Sequence, residues 1–316
     1  MSWFSFKNLI KLSLLSITGK YWTYKIYSKT GSGFLSKLSK DIAIVIQGPL
    51  NNDNNFTFET IKLYKKNIPN AKIIFSTWEL PKALERELKE LNVSVIVNQK
   101  PKNPGIFNIN LQIATSKSGI LLAKKLGFKH VLKTRSDQRI NHPNFDIYLF
   151  NLLSSFPLKS NITNQKERII GLSLNTFKYR LYGISDMFLF GHIDDMLNYW
   201  DVEFDDRSDT NEERMNAGAT FGSYSRWRVC EVYLCTKFLK KIGYETNYTL
   251  LDSYKVLGNR FLILDYEAID LYWHKYTTNQ SRYKVDGIYD PQISFNDWLV
   301  MSNNIETLQV DESVLN

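Results

Sequence analysis

The sequence predicts an α/β protein whose mostly parallel sheet is flanked by helices. Between residues 41 and 134, short apolar runs rich in Val and Ile alternate with stretches of helical periodicity over about 95 residues. Such runs are typical of strands buried on both faces, and the alternation favours parallel pairing with right-handed crossovers. In an open sheet of this kind, ligands bind just beyond the carboxyl ends of the strands.

Local signals bound each element of the first half. Gly48 and Pro49 end the first strand, Pro69 ends the helix that follows, and Pro81 opens the next helix. The predicted strands are 41–47, 72–77, 93–97 and 130–134, and the predicted helices are 56–67, 81–91 and 109–126.

The second half has a mixed α/β pattern. Strands are predicted at 168–172, 184–190 and 261–265, and helices at 192–200 and 227–242, the last ended by Gly243. The acidic stretch 201–213 lacks the central glycine of a calcium loop, so we expect a solvated loop, with acceptor contact as the alternative. We divide the chain into an arm (1–40), a domain over 41–280 (first half 41–140, second half 141–280) and a polar C-terminal tail (281–316).

The arm is basic and rich in aromatic residues. Its 40 residues contain seven lysines and no acidic residue, with apolar side chains between them, and we expect it to be helical. Lysine interrupts every apolar run before it reaches the length of a membrane span or a signal peptide. The arm could lie on an anionic membrane surface, or it could be a helix that covers the flank of the domain.

Composition narrows the compartment and the partners. The only two cysteines, Cys230 and Cys235, are spaced for neither a disulfide framework nor a zinc site, which favours a reducing cytosol. The formal charge of +8 fits an anionic ligand or an anionic membrane surface. No basic-aromatic module typical of nucleic-acid binding occurs, so we expect no nucleic-acid partner.

The fourth strand ends in an unusual polar cluster, Lys133-Thr134-Arg135-Ser136-Asp137-Gln138. A carboxylate at this position can hold a divalent metal, and the neighbouring donors can reach the sugar or phosphates of a nucleotide. Alternatively, Asp137 forms a salt bridge with Arg135 or Arg139, which would explain the cluster without chemistry.

Several motifs in order resemble the WavE-type lipopolysaccharide-synthesis family over about residues 41–275. They are Gln47-Gly48-Pro49, Phe75-Ser76-Thr77-Trp78-Glu79, Asn98 before a Pro/Gly loop, Asn108-x-Asn110-x-Gln112, Lys133-Thr134-Arg135-Ser136-Asp137, and Ser185-Asp186-Met187-Phe188-Leu189-Phe190-Gly191. No single motif is specific, and their order and spacing carry the resemblance.

The resemblance implies a cytoplasmic bacterial glycosyltransferase with a GT-A-like fold, at most peripheral on the inner face of the plasma membrane. Its donor would be a nucleotide-sugar, and its acceptor a glycan or lipid-linked glycan of lipopolysaccharide, O-antigen or capsule. Such enzymes usually carry two aspartates at the acidic element, but Arg135 stands where the first would be. One carboxylate with the donor's phosphates is a meagre ligand set, which puts dependence on Mn²⁺ or Mg²⁺ in doubt.

We predict that the donor is bound by residues at the strand ends. Each also has a structural interpretation: a strand-ending turn for Gly48 and Pro49, core packing for Trp78, and capping for Asn98 and Asn110. The predicted donor-binding residues are Gln47, Gly48, Pro49, Thr77, Trp78, Asn98, Asn110, Arg135, Ser136 and Lys275.

Two carboxylates are the catalytic candidates. Glu231 opens a predicted helix, as does the general base of similar enzymes, while Glu212 and Glu213 are its rivals. Asp186 lies inside an apolar run, where an acid is unfavourable unless it is paired or functional. For the metal site we predict Asp137 and His274, and Lys275 could neutralise the leaving diphosphate.

Two function classes remain from the sequence: a glycosyltransferase, and a non-catalytic sugar-nucleotide-binding or scaffolding module of polysaccharide assembly. A nucleotidyltransferase is disfavoured, because residues 48–55 lack the Gly-rich basic loop which that chemistry usually needs. Inversion or retention at the sugar carbon is left open.

Overall fold

A computed structural model describes residues 42–159, 161–162, 164–207, 212, 216, 218–274 and 291–316. Within these residues, nine strands form a seven-stranded sheet and a separate two-stranded sheet. The strands are β1 (Ile42–Gln47), β2 (Lys72–Thr77), β3 (Ser94–Val97), β4 (His130–Arg135), β5 (Gln138–Ile140), β6 (Ile169–Leu172), β7 (Leu189–His192), β8 (Phe261–Leu264) and β9 (Leu271–Trp273).

The large sheet has the order β3-β2-β1-β4-β7-β6-β8. All neighbours pair in parallel except β7, which is antiparallel to both β4 and β6. The predicted mostly parallel sheet is therefore confirmed. The chain lays down β1, β2 and β3 in one direction and then returns to the other side of β1 with β4, so the strand order reverses between β1 and β4.

Helices cover the sheet and bring their apolar sides to its core. One helix, α3, packs on β1 and β2, and it also contacts α5, which in turn packs on α7. The helices are α1 (Phe56–Asn67), α2 (Lys82–Glu90), α3 (Ile109–Lys125), α4 (Phe145–Ser155), α5 (Ile193–Trp200), α6 (Phe221–Trp227), α7 (Cys230–Lys241), α8 (Leu250–Arg260) and α9 (Phe295–Asn303).

The predicted strand at 184–190 is wrong in position, because β7 begins only at Leu189. The preceding segment is buried but pairs with no strand. Its backbone N–H groups at Leu181, Tyr182 and Ser185 instead donate to the side-chain hydroxyls of Ser225, Ser253 and Thr176. An apolar run can thus be buried as an irregular segment when side chains satisfy its backbone.

The predicted helix at 227–242 corresponds to α7, which starts later, at Cys230, because Arg228 has a left-handed backbone (φ 59°, ψ 74°) that ends α6. Five further elements were not expected: α4, α6, α8, and the strands β5 and β9 that pair with each other. Part of the predicted tail is also structured, since α9 packs on α8 and β8 with Trp298 fully buried.

The arm (1–40) lies outside the described residues, so its helical prediction is left open. Within the described ranges, every helix is too short or too polar to traverse a lipid bilayer.

Candidate active site at the carboxyl edge of the sheet

The carboxyl ends of β1 and β4 are adjacent at the point where the strand order reverses. This is the place where open α/β sheets bind nucleotides. The segments that follow the two strands are tied together: Ser136 N donates to the carbonyl of Gln47 (2.9 Å), and Ser136 Oγ donates to the carbonyl of Pro49 (2.6 Å). Gly48 lies between these bonds, and its amide donates to the carbonyl of Ser76 on β2 (3.1 Å).

The side chain of Gln47 points into the protein. Its Oε1 accepts a hydrogen bond from Thr115 Oγ1 on α3 (2.9 Å), and both residues are buried. Of the predicted donor residues around β1, only the backbone of Gln47 and the Gly48-Pro49 turn therefore line the crevice.

Asn98 joins three elements behind the crevice. Its amide nitrogen donates to Ser76 Oγ and to the carbonyl of Thr77 (both 2.9 Å), and its amide oxygen accepts from Ser118 Oγ on α3 (2.6 Å). Thr77 is fully buried, whereas Trp78, the next residue, is half-buried at the sheet edge. Of these three predicted donor residues, Trp78 and Asn98 are half-buried and Thr77 has no exposed surface.

Asn110 holds a distant loop. Its amide donates to the carbonyl of Asp205 (2.7 Å) and accepts from the amide of the same residue (2.6 Å). Both groups of its side chain are used in this pair of bonds, and only 1% of the residue is exposed. The Asn110 side chain therefore holds the 201–207 segment against the start of α3.

Arg135 and Asp137 form a bidentate salt bridge at the end of β4, with N–O distances of 2.9 Å for both bonds. Burial alone would raise the pKa of the Asp137 carboxyl, but Arg135 and the indole N–H of Trp273 (3.1 Å) hold that pKa below its usual value. The ion pair that the sequence offered as an alternative explanation is thus present, and Arg139 is not its partner. Arg139 donates instead to Thr60 Oγ1 (2.9 Å).

His274 lies beside this pair through its backbone, whose amide donates to the carbonyl of Asp137 (2.9 Å). Its ring stacks on Phe56 (4.6 Å between centroids) and contacts the carboxylate of Asp53 (3.2 Å). Among the described residues, no three His, Cys, Asp or Glu side chains group as metal ligands. Because Asp137 is already bonded to Arg135 and His274 to Asp53, these side chains do not form a ready site for Mn²⁺ or Mg²⁺, and the predicted metal stays a prediction.

A buried charged cluster lies next to the crevice, under β4 and the segment before β7. Lys133 is fully buried, donates to the backbone carbonyl of Asp186 and stands 4.4 Å from the ring centre of Trp200. Burial lowers the pKa of Lys133 to about 7, although the nearby Asp186 carboxylate opposes that change. Asp186 itself is buried at the carboxyl edge, with 4% of the residue exposed.

Glu231 belongs to the same cluster. It lies in the first turn of α7, and its side chain is only 11% exposed. Asn175, which follows β6, donates a hydrogen bond to its carboxylate, and an Arg180 guanidinium nitrogen is 3.6 Å away. Burial raises the pKa of Glu231, and the negative Asp186 adds to the rise, while Arg180 opposes it.

The remaining candidates are farther from this cluster or outside the described residues. Glu212 is exposed, and Glu213 and Lys275 are not described. Three polar residues of the cluster were not singled out from the sequence: Lys133, Asn175 and Arg180. For Lys133 a signal existed, because a lysine in the middle of a buried strand is unfavourable unless its charge is compensated.

The sequence model of one family, WavE lipopolysaccharide synthesis, matches residues 42–314. This chain belongs to the WavE lipopolysaccharide synthesis family. The family predicted from the motifs is therefore confirmed. No curated protein matches the WavE-family chain significantly.

Solved structures resemble this WavE-family protein only distantly. A glycosyltransferase involved in the glycosylation of the major capsid of PBCV-1 is 13% identical, with a TM-score of 0.30, over 51% of this chain and 65% of that one. A structure assigned as a nucleotide-diphospho-sugar transferase from Desulfovibrio desulfuricans G20 is 10% identical, with a TM-score of 0.35, over 86% and 99%. Glucosyl-3-phosphoglycerate synthase from Mycobacterium tuberculosis, in complex with Mn²⁺, UDP and glucosyl-3-phosphoglycerate, is 10% identical, with a TM-score of 0.33, over 73% and 89%.

Proposed function

We propose that this WavE-family protein is a glycosyltransferase that moves a sugar from a nucleotide-sugar donor to a bacterial surface glycan: lipopolysaccharide, O-antigen or capsule. One observation carries the proposal. The crevice between β1 and β4 lies at the carboxyl edge of the sheet, and the buried carboxylate of Glu231 is bonded to Asn175, which follows the parallel strand β6 at that same edge. A nucleotide in the crevice would therefore have a proton acceptor on the side of its sugar.

The donor would enter between the Gly48-Pro49 turn and the end of β4. Gly48 has no side chain, so a ribose or base can approach its backbone closely. Arg135, with 24% of its side chain exposed, would offer a planar guanidinium to the diphosphate. In the present arrangement Asp137 is bonded to that guanidinium, and it would keep Arg135 oriented as the phosphates approach.

Glu231 is proposed as the general base of an inverting transfer. The acceptor hydroxyl attacks the anomeric carbon of the donor sugar, and the bond between that carbon and the nucleotide diphosphate breaks. The hydroxyl proton passes to the Glu231 carboxylate. A carboxylate whose pKa is raised by burial holds that proton more readily than an exposed one. The base must be deprotonated to act, so turnover should rise as the pH increases through its pKa.

The proposed roles of the other predicted residues are narrower. Asp186 is the alternative base, since it is buried at the same edge and its carboxylate repels that of Glu231. Asp137, and His274 with it, remain proposed for a divalent cation brought by the donor. A cytoplasmic location with peripheral membrane contact is likewise proposed.

The experiment is a binding panel followed by a kinetic one. We expect one class among UDP-, GDP-, dTDP- and CMP-sugars to raise the melting temperature, tested with and without Mn²⁺. With that donor, the Glu231→Gln variant should keep the thermal shift, lose roughly 10²–10⁴ of the turnover and lose the acidic limb of its pH–rate profile. The Glu59→Gln variant, which alters an exposed glutamate on α1, is the matched control and should behave like the wild type.

Two results would contradict the proposal in different ways. Wild-type protein that binds a nucleotide-sugar but neither hydrolyses nor transfers it would favour the non-catalytic binding module. Near-normal turnover of Glu231→Gln would move the base to Asp186 or indicate retention, and the anomeric configuration of the product, read by NMR, would distinguish these two.

A further inference from the structure

Phe107 adopts a backbone conformation that is rare for an aromatic residue. Its φ and ψ are 51° and 30°, and Asn108 after it is also left-handed, with φ 64°. Consecutive left-handed residues other than glycine are unfavourable and persist where the surrounding structure enforces them. The ring that this backbone presents is 39% exposed.

Two further half-exposed aromatic residues stand beside it on α6. The Trp227 ring packs edge to face against Phe107, with 5.7 Å between centroids and an angle of 86° between planes. The Tyr224 ring, one turn earlier, is 6.2 Å from that of Trp227. We call Phe107, Tyr224 and Trp227 the aromatic platform.

A buried polar network fixes the platform from below. Asn110 is bonded to the backbone of Asp205, and the Asp205 carboxylate holds Arg207 by two bonds of 2.8 Å. Arg207 then donates to the backbone carbonyls of Trp227 and Arg228, where α6 ends. The network therefore joins the start of α3, which follows Phe107, to the end of α6. It thereby fixes the position of Phe107 relative to Trp227.

The platform borders the proposed catalytic carboxylate. The Cys230 thiol is 3.4 Å from the carbonyl of Ile106 and 3.8 Å from that of Phe107, and Glu231 is the next residue. Exposed aromatic rings that are rigidly held at the margin of a polar, charged cluster match the needs of sugar recognition. The apolar C–H face of a pyranose carries partial positive charge and packs on the negative face of a ring, while its hydroxyl groups reach the charged side.

We propose that the aromatic platform is the acceptor subsite and that it stacks on the pyranose ring whose hydroxyl is to be glycosylated. The inference rests on the proposed function and adds to it the position and chemical class of the acceptor. Asn110, which the sequence assigned to the donor, becomes a positioning residue for this subsite.

Saturation-transfer NMR tests the subsite without any turnover. The probes are the methyl pyranosides of glucose, galactose, mannose and N-acetylglucosamine, added to the full-length protein with UDP. We expect at least one probe to receive saturation on its ring protons, and its dissociation constant to rise roughly three- to tenfold in Phe107→Leu and in Trp227→Leu. Phe128→Leu is the matched control, because Phe128 precedes β4 at the opposite edge of the sheet, and its affinity should equal that of the wild type.

The remaining outcomes separate this inference from the proposed function. The wild type could bind a pyranoside without turning over any nucleotide-sugar, while Phe107→Leu binds that pyranoside more weakly. This result would support the subsite and contradict the proposed transfer reaction. If no pyranoside binds, or if both platform variants bind it as tightly as Phe128→Leu does, the subsite is overturned even where transfer is observed. Circular dichroism of each variant shows whether a loss of binding comes from a loss of fold.

Discussion

Gly48 has two independent reasons to be glycine. Its φ of +119° lies where other residues are strained, and a Cβ added to it would be 2.7 Å from Ser136 Oγ. The close approach of the two segments is the same feature that shapes the crevice between β1 and β4. Gly48 therefore couples the stability of the fold to the shape of the proposed donor site.

We predict that Gly48→Ala destabilises the protein by about 1–3 kcal/mol and weakens the thermal shift given by the donor nucleotide. Gly127→Ala separates the two causes, because Gly127 also has a positive φ (+86°) but no atom within 4 Å of the added Cβ. Gly127→Ala should lose less free energy of unfolding than Gly48→Ala. The rise in its melting temperature on adding the donor nucleotide should be unchanged. In a Gly48→Ala, Ser136→Ala double variant, part of the stability should return.

Denaturant unfolding and thermal shift measure both quantities. Equal losses in Gly48→Ala and Gly127→Ala would show that crowding against Ser136 has no energetic effect, and an intact donor shift in Gly48→Ala would remove this turn from the donor site.

At the scale of elements, the 201–207 segment is organised by contacts far away in sequence. Asn110 from the start of α3 bonds the backbone of Asp205, which is 1% exposed. Arg207 from the segment itself bonds the Asp205 carboxylate and the carbonyl of Arg228. The sequence shows only an acidic stretch here, and a solvated loop was the simplest expectation. Burial of Asp205 follows from its pairing with Arg207, a contact that charge counting cannot reveal.

We predict that Asn110→Ala lowers the free energy of unfolding by about 2 kcal/mol, because two short hydrogen bonds to a buried backbone are lost together. It should also reduce acceptor affinity more than donor affinity. Asn103→Ala is the comparison and should lose less stability, since Asn103 is exposed and its amide nitrogen reaches the carbonyls of Asp205 and Asp206 only at 3.4 and 3.3 Å. Its amide oxygen accepts one bond, from Gly105 N (2.9 Å). Chemical denaturation and initial-rate kinetics report the two effects, and a fall confined to donor affinity would return Asn110 to the donor site.

Sequence reasoning succeeded where a pattern is local. The boundaries of α1 and β2 agree with the predicted ones, because Pro, Gly and the apolar period fix them within a few residues. It failed at β7, since the stretch 181–188 is as apolar as a strand, but its backbone amides at Leu181, Tyr182 and Ser185 donate to side-chain hydroxyls instead of to a neighbouring strand. Tertiary partners decide such a segment, and a single sequence does not contain them.

The candidate site divides in the same way. Asp137 was singled out by its position at a strand end, Asp186 by lying inside an apolar run, and Glu231 by opening a predicted helix as in similar enzymes. Their partners were not singled out, because Asn175 and Arg180 come from an irregular stretch between β6 and β7 that carries no motif. The amides of Asn98 and Asn110 illustrate the limit most clearly: the same residue type serves a ligand or a backbone equally well, and only the fold distinguishes them.

At the scale of the whole molecule, the basic arm (1–40) is the feature that would decide where the enzyme acts. We predict that removing it abolishes binding to liposomes that contain anionic lipid and leaves the remaining chain folded. Binding of the full chain should weaken as salt rises, since screening shortens the reach of surface charge. Liposome flotation measures binding and its dependence on salt, and circular dichroism shows whether the truncated chain is folded. A variant in which the seven lysines are replaced by glutamine keeps the arm's length as a control, and undiminished flotation of it would exclude an electrostatic attachment.

The single antiparallel strand of the large sheet has a consequence for how this family can diversify. The strand β7 is hydrogen-bonded to β4 on one side and to β6 on the other, with His130 opposite His192 and Lys133 opposite Leu189. Strands from the first half of the domain (β1 to β4) and from the second half (β6 to β8) therefore belong to one continuous sheet. Recombination at residue 140 would have to pair β4 of one relative with β7 of another, and a poor match would leave β4 with an open, aggregation-prone edge. New acceptor specificity in such an enzyme must then arise by changes in surface loops such as the 201–207 segment, and not by exchange of whole halves between relatives.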